Sequence, residues 1–154
     1  MPLEKIISGG QSGVDRAALD AALSKKFPCS GWCPQGRLAE DGPIPARYPL
    51  LELAGGYRER TRQNVMASDA TAVIYFSELE GGTKLTVAYC QRAAKPCKLI
   101  DGNDIAVSRA SGELFEFIRS QAVRTLNVAG PRLSKSPEAY RYTFDLVLDL
   151  LANV

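Results

Sequence analysis

Lys5-Ile6-Ile7-Ser8-Gly9-Gly10-Gln11-Ser12-Gly13-Val14-Asp15-Arg16-Ala17-Ala18-Leu19 decides the fold. A short apolar run ends in a glycine-rich turn, and a helical pattern follows at once. Glycine lets backbone N–H groups approach an anion with no Cβ in the way. The helix start behind the turn adds free donors and a partial positive charge. A tight strand-to-helix turn needs only two glycines. Three of them, with Gln11 and Ser12, lead us to expect an anion on Gly9, Gly10, Gln11, Ser12 and Gly13. The pattern is neither G-x-G-x-x-G nor a Walker loop, and no lysine follows Gly13, so nothing supports ATP hydrolysis.

Outward from this turn, short apolar runs alternate with longer helical patterns. The first helix is expected from Val14 to about Lys25, with Ala17, Ala18, Leu19, Ala21, Ala22 and Leu23 making it apolar on most sides. Further strands are expected near Cys29 to Cys33, at Ala72–Phe76, at Lys98–Ile100 and at Leu126–Ala129. Helices are expected over Tyr57–Ser68, from the Gly81 turn to about Ala94, over Ser111–Ala122, and from near Pro137. Prolines and glycines break most of the segment from Pro34 to about Gly56, a length that marks a binding loop or a flexible segment. This alternation predicts an α/β fold: one three-layer, Rossmann-like, doubly wound parallel sheet of about five strands, order 2-1-3-4-5, in a single domain over 1–154.

Bulk properties narrow the function. The chain has 154 residues and a net charge of +2 with acids and bases mixed, which gives no basic face for nucleic acid. The Arg58–Arg62 run, interrupted by Glu59, reads as a solvated helix face. Without any histidine, mixed Cys/His zinc sites and histidine bases are excluded. Cys29 and Cys33 stand at C-x3-C, neither a redox pair nor a zinc-ribbon pair, so the four cysteines are expected as reduced, mostly buried thiols of a cytoplasmic protein. The N-terminus has no signal-peptide pattern, and no apolar run approaches the ~18 residues of a membrane span.

Ligands of open parallel sheets sit beyond the carboxyl ends of the strands. Two more loops leave such ends. Gly81-Gly82-Thr83 opens a helix, where Thr83 either caps the backbone or joins an anion site. Gly130-Pro131-Arg132-Leu133-Ser134-Lys135-Ser136 offers Arg132, Ser134 and Lys135 to a phosphate. Ser12 and Thr83 add hydroxyl donors. Arg16 reaches either the ligand or a loop, and Asp15 is expected to support the glycine turn. In the long loop and the strand end before it, Trp32, Arg37, Glu40, Asp41, Gly42 and Arg47 suit a flat heterocycle, a packed lid or an oligomer contact equally well.

These motifs carry a family resemblance. Ile7-Ser8-Gly9-Gly10-Gln11-Ser12-Gly13-Val14-Asp15-Arg16-Ala17-Ala18-Leu19-Asp20 is similar to the signature of the molybdenum cofactor carrier proteins. So are Gly31-Trp32-Cys33-Pro34-Gln35-Gly36-Arg37 and Ala39-Glu40-Asp41-Gly42-Pro43-Ile44-Pro45. Thr61-Arg62-Gln63-Asn64-Val65 with Ser68-Asp69, Gly81-Gly82-Thr83, and Asn127-Val128-Ala129-Gly130-Pro131-Arg132 extend the resemblance over nearly the whole chain. It implies a Rossmann-like homo-oligomer, dimer or tetramer, that binds and protects a molybdopterin-type cofactor. Molybdoenzymes or cofactor-assembly proteins would be its partners. It also implies kinship with the lysine decarboxylase-like proteins that cleave cytokinin nucleotides and carry P-G-G-x-G-T-x-x-E with a catalytic glutamate. Here Thr86 takes that glutamate's place and cannot act as a carboxylate base, so a binding protein is expected rather than an enzyme. Two alternatives remain: a nucleotide N-glycosidase using Glu78, Glu80, Glu40 or Asp41, and a nucleotide sensor.

Overall fold

In the computed structural model, which describes residues 3–154, the opening run forms strand β1 (Lys5–Ile7) and passes through the glycine turn into helix α1 (Val14–Ser24). Val14, Ala17, Ala18, Leu19, Ala21 and Ala22 of α1 are buried, so small side chains bring the helix close to its neighbours. The remaining elements follow in chain order. They are β2 (Cys29–Ser30), β3 (Trp32–Pro34), β4 (Leu51–Leu53), α2 (Tyr57–Met66), β5 (Ala70–Tyr75), α3 (Gly81–Arg92), β6 (Cys97–Asp101), α4 (Val107–Ser120), β7 (Thr125–Ala129) and α5 (Ala139–Leu151).

The main sheet is parallel and five-stranded, in the order β2-β1-β7-β5-β6. The fold class is the expected one, and the strand order is corrected. The last strand does not lie at an edge. Strand β7 pairs with β1 through Ile6↔Leu126 and with β5 through Ala72↔Val128. Its buried Leu126, Asn127 and Val128 sit in the middle of the sheet. Counted from β7 as the first strand, the order is 3-2-1-4-5, the nucleotide-binding arrangement with the chain opened elsewhere. Helix α5 packs on α1 and α4, while α2 packs on α3, so helices flank the sheet as two groups.

The expected second strand divides at Gly31. Its φ is +142°, and a Cβ there would lie 1.9 Å from the Ser8 carbonyl oxygen. Only glycine lets the chain cross β1 so closely. Cys29-Ser30 stays with β1, and Trp32–Pro34 joins β4 in a separate two-stranded parallel sheet. Regular structure thus reappears at Leu51–Leu53, inside the segment expected to be broken throughout most of its length.

Between β3 and β4 the loop is irregular but tightly held. Ile44, Tyr48 and Leu50 form a second small core with Leu19 of α1 and Cys33. Arg37 stabilises the turn from within by donating to the carbonyls of Ile44 at 2.9 Å, Pro45 at 2.7 Å and Tyr48 at 3.0 Å. Tyr48 Oη donates to Asp20 at 2.6 Å, and Tyr140 Oη donates to the other Asp20 oxygen at 2.5 Å, which ties the loop to α1 and α5. Burial, together with the bond to Asp20, pushes the Tyr48 hydroxyl up to about 12. All four cysteines are free thiols, with Cys33 and Cys90 buried. Among the described residues, no helix is long and apolar enough to cross a membrane.

Candidate functional site

A cavity of about 550 Å³ opens at the carboxyl ends of β5 and β7, where a doubly wound sheet places its ligand. Helix α2 forms one wall and the start of α3 another. The loop after β7 and the first residues of the α1 turn close the remaining sides.

The α3 wall starts a helix without a side-chain cap. Glu80 is the N-cap residue and makes no capping bond, and the Thr83 and Lys84 amides return to its carbonyl at 3.1 and 3.2 Å. The Gly81 and Gly82 amides, one step earlier, find no acceptor among the described residues. A Cβ added at either glycine would meet nothing within 4 Å. Free donors, open space and the positive end of the helix dipole coincide here. Thr83 is buried beside them and does not cap the helix. Thr86, one turn on, donates to the Gly82 carbonyl at 2.9 Å, so its hydroxyl serves the helix itself.

Arg60 of α2, only 8% exposed, lines the same cavity. Its Nη1 donates to Asp15 Oδ2 at 2.9 Å, while Nε is buried without a partner among the described residues. A Cβ on Gly9 would lie 1.7 Å from Nη1, so the glycine exists to admit the guanidinium. Burial raises the Asp15 carboxyl above its ordinary value, against the pull of the Arg60 charge and the Gln11 N–H. The Arg58–Arg62 run read as solvated thus hides a buried charge. The signal that finds it is helical phase: Arg60 and Asn64 stand four apart on the buried face with Val65. Asn64 accepts from the Trp32 amide at 2.9 Å and donates to the Trp32 carbonyl at 3.0 Å, fixing α2 to β3.

Of the residues singled out in the sequence, Gly9, Gln11, Gly81, Gly82, Thr83, Arg132 and Lys135 line the cavity. Gly10, Ser12, Gly13, Arg16 and Ser134 lie outside its lining. Three amides of the α1 turn are spent internally, while those of Gly9 and Gly13 find no acceptor among the described residues. The Gly10 amide donates to Ser8 Oγ at 3.4 Å, the Gln11 amide to Asp15 Oδ2 at 3.4 Å and the Ser12 amide to Gln11 Oε1 at 3.0 Å. Gly10 faces the long loop, since a Cβ would lie 2.4 Å from Leu50 Cδ1. Gly13 packs on the β7–α5 loop, its Cβ position 2.5 Å from the Pro131 carbonyl oxygen. Arg16 donates through Nε to the Gly10 carbonyl at 3.0 Å and pairs bidentately with Asp41 at 3.0 and 3.1 Å. Of its two readings, the loop contact is the one formed.

Ser12, Arg132 and Ser134 converge on Glu40 of the long loop. Trp32 lies in β3, away from the cavity, whose aromatic lining is Tyr57, Tyr75 and Phe76. Asn127 of β7 also lines it and was missed; its Nδ2 donates to Thr71 Oγ1 at 3.2 Å. A polar residue in a short apolar strand was the available signal. Glu78 and Glu80 line the cavity and are exposed. Glu40 and Asp41 are not part of the lining.

A family model described as the circularly permutated YpsA SLOG family matches residues 6–151. The permuted strand order agrees with that description. The crystal structure of a putative molybdenum carrier protein from Syntrophus aciditrophicus SB is 43% identical and superposes with a TM-score of 0.95, over 97% of this chain and 96% of that chain. No curated protein matches.

Proposed function

The chain belongs to the circularly permutated YpsA SLOG family, and on that premise we propose that it binds a phosphate-bearing, molybdopterin-type cofactor as cargo in the strand-end cavity. Molybdoenzymes or cofactor-assembly proteins would receive the cargo. The observation that carries this reading is the uncapped start of α3, with Gly81 and Gly82 amides that lack acceptors among the described residues, in a cavity also lined by the buried Arg60. A phosphate held by both takes backbone donors from the first and a charge-assisted donor from the second. The orphaned Arg60 Nε fits an arriving acceptor, because a buried unpaired donor costs about 1–3 kcal/mol until it is satisfied. Tyr57, Tyr75 and Phe76 give a flat ring apolar surface to lie on. The cavity also falls within the roughly 300–1,000 Å³ of small-ligand sites.

Carriage rather than hydrolysis is favoured by Thr86, whose hydroxyl is bound to the α3 backbone where related hydrolases hold a carboxylate. Isothermal titration with molybdopterin and with nucleoside monophosphates tests the reading. Binding of molybdopterin without base release from the nucleotides is expected. Absence of affinity for all of them defeats it. Release of free base would transfer the proposal to an N-glycosidase, with Glu78 and Glu80 as its carboxylates.

A further inference from the structure

The loop after β7 holds a second set of anion donors, and a side chain of the protein already fills it. Glu40 accepts hydrogen bonds from Ser12 Oγ, from the Ser134 amide at 3.1 Å and from Ser134 Oγ at 2.5 Å. Arg132 Nε lies 3.3 Å from Oε1, the oxygen that also accepts from Ser134 Oγ. The donors come from segments about 120 residues apart in sequence, and Ser12 Oγ is itself fixed by the Leu133 amide at 3.1 Å. Two hydroxyls, a backbone amide and a guanidinium around one carboxylate make the donor chemistry of a phosphomonoester site. None of these donors lies on the loop that carries Glu40: Leu133, Ser134 and Arg132 sit on the loop after β7 and Ser12 on the α1 turn. Glu40 belongs to the separate loop of residues 35–50.

We propose that Ser12, Arg132 and Ser134 form an anion subsite for a phosphate group, and that Glu40 is a tethered competitor occupying it. Arg132 also lines the cavity, so an anionic ligand there and Glu40 draw on the same guanidinium. The inference rests on the anion-binding reading of the cavity for its physiological ligand, but its donors are distinct from those of α3. Competition is reciprocal: phosphate weakens the hold on residues 35–50, and that hold weakens phosphate. A clasp closed about 90% of the time reduces the apparent affinity of an external anion about tenfold.

The test is titration of the protein and of Glu40→Gln and Glu40→Ala variants with inorganic phosphate and pyrophosphate, followed by amide NMR. Amides of Leu133 and Ser134 report this subsite, and those of Gly81 and Gly82 report the α3 site. At Leu133 and Ser134, both variants are expected to bind about tenfold more tightly than the unmodified chain. In the unmodified chain, saturating phosphate is expected to speed hydrogen exchange of the Glu40 amide, which Gln11 Oε1 otherwise holds at 2.9 Å. Equal or weaker binding at Ser134 in the variants overturns the proposal, even if Gly81 and Gly82 respond. A response at Ser134 with none at Gly81 and Gly82 sustains it and removes the α3 reading instead. Should the variants fail to fold, Glu40 amide exchange in the unmodified chain decides alone, and exchange unaffected by phosphate overturns the proposal.

Discussion

Two glycine turns start two helices in this protein, and they are built for opposite purposes. At the α1 turn, Gly9, Gly10 and Gly13 all stand where a Cβ would collide, with Arg60, Leu50 and the Pro131 carbonyl respectively. The amides of Gly10, Gln11 and Ser12 already have acceptors within the chain. At the α3 turn, a Cβ on Gly81 or Gly82 would meet nothing within 4 Å, and their amides lack acceptors among the described residues. The first turn uses glycine to let chain segments pass close to one another. The second uses it to leave space. Counting glycines does not separate the two; asking what a Cβ would meet does.

Alanine at Gly13 should have the largest effect. Its φ is +83° and its Cβ would sit 2.5 Å from a backbone oxygen, which cannot swing aside as a side chain can. Gly13→Ala should destabilise the fold by about 2–4 kcal/mol, read as a lowered midpoint in urea. Next comes Gly82→Asp, which should split stability from binding. An acidic residue in the first turn of α3 favours the helix dipole, so the melting temperature should hold or rise. The same charge faces an incoming phosphate and should weaken binding at least about tenfold in calorimetry, or about 1.4 kcal/mol. If Gly82→Asp binds as the parent does, the contrast between the turns loses its functional meaning.

Asp41→Asn should act more weakly. It removes the partner of Arg16, but Asp41 is 51% exposed, and such pairs contribute about 0–1 kcal/mol. Expected is a shift of that size in the unfolding free energy, with faster exchange confined to residues 35–50. The pH dependence of the Glu40 clasp is the subtlest effect. Desolvation pushes the Glu40 carboxyl up, and bonds from Ser12 and Ser134 with the Arg132 charge outweigh it, holding the group below its ordinary value. The clasp therefore contributes stability above the unfolded carboxyl value of about 4.3 and loses it as pH falls through the depressed one. Carboxyl-carbon NMR should show Glu40 titrating below the ordinary glutamate value of about 4.3. Titration at or above that value would mean that the clasp is open in solution.

Much of the fold was legible because apolar runs such as Ala72–Tyr75 and the small-residue face of α1 repeat with the periods of strand and helix. Strand order was not, because hydrophobicity marks a strand as buried without saying which strand lies beside it; β7 took the middle of the sheet that way. In the site, the α3 glycines and Arg132 could be found from loop position alone. Arg60 could not, because the three charged residues around it looked solvated and its acceptor Asp15 lies 45 positions away. Glu40 was visible as a polar loop residue, but its grip on Ser134, 94 positions on, exists only in the folded chain.

Amide NMR during titration with a phosphate-bearing pterin tests the central claim most directly. The account predicts saturable shifts at the Gly81 and Gly82 amides with the Gly10 amide unmoved. Shifts concentrated at Gly10 and Gly13, with Gly81 and Gly82 silent, would contradict it.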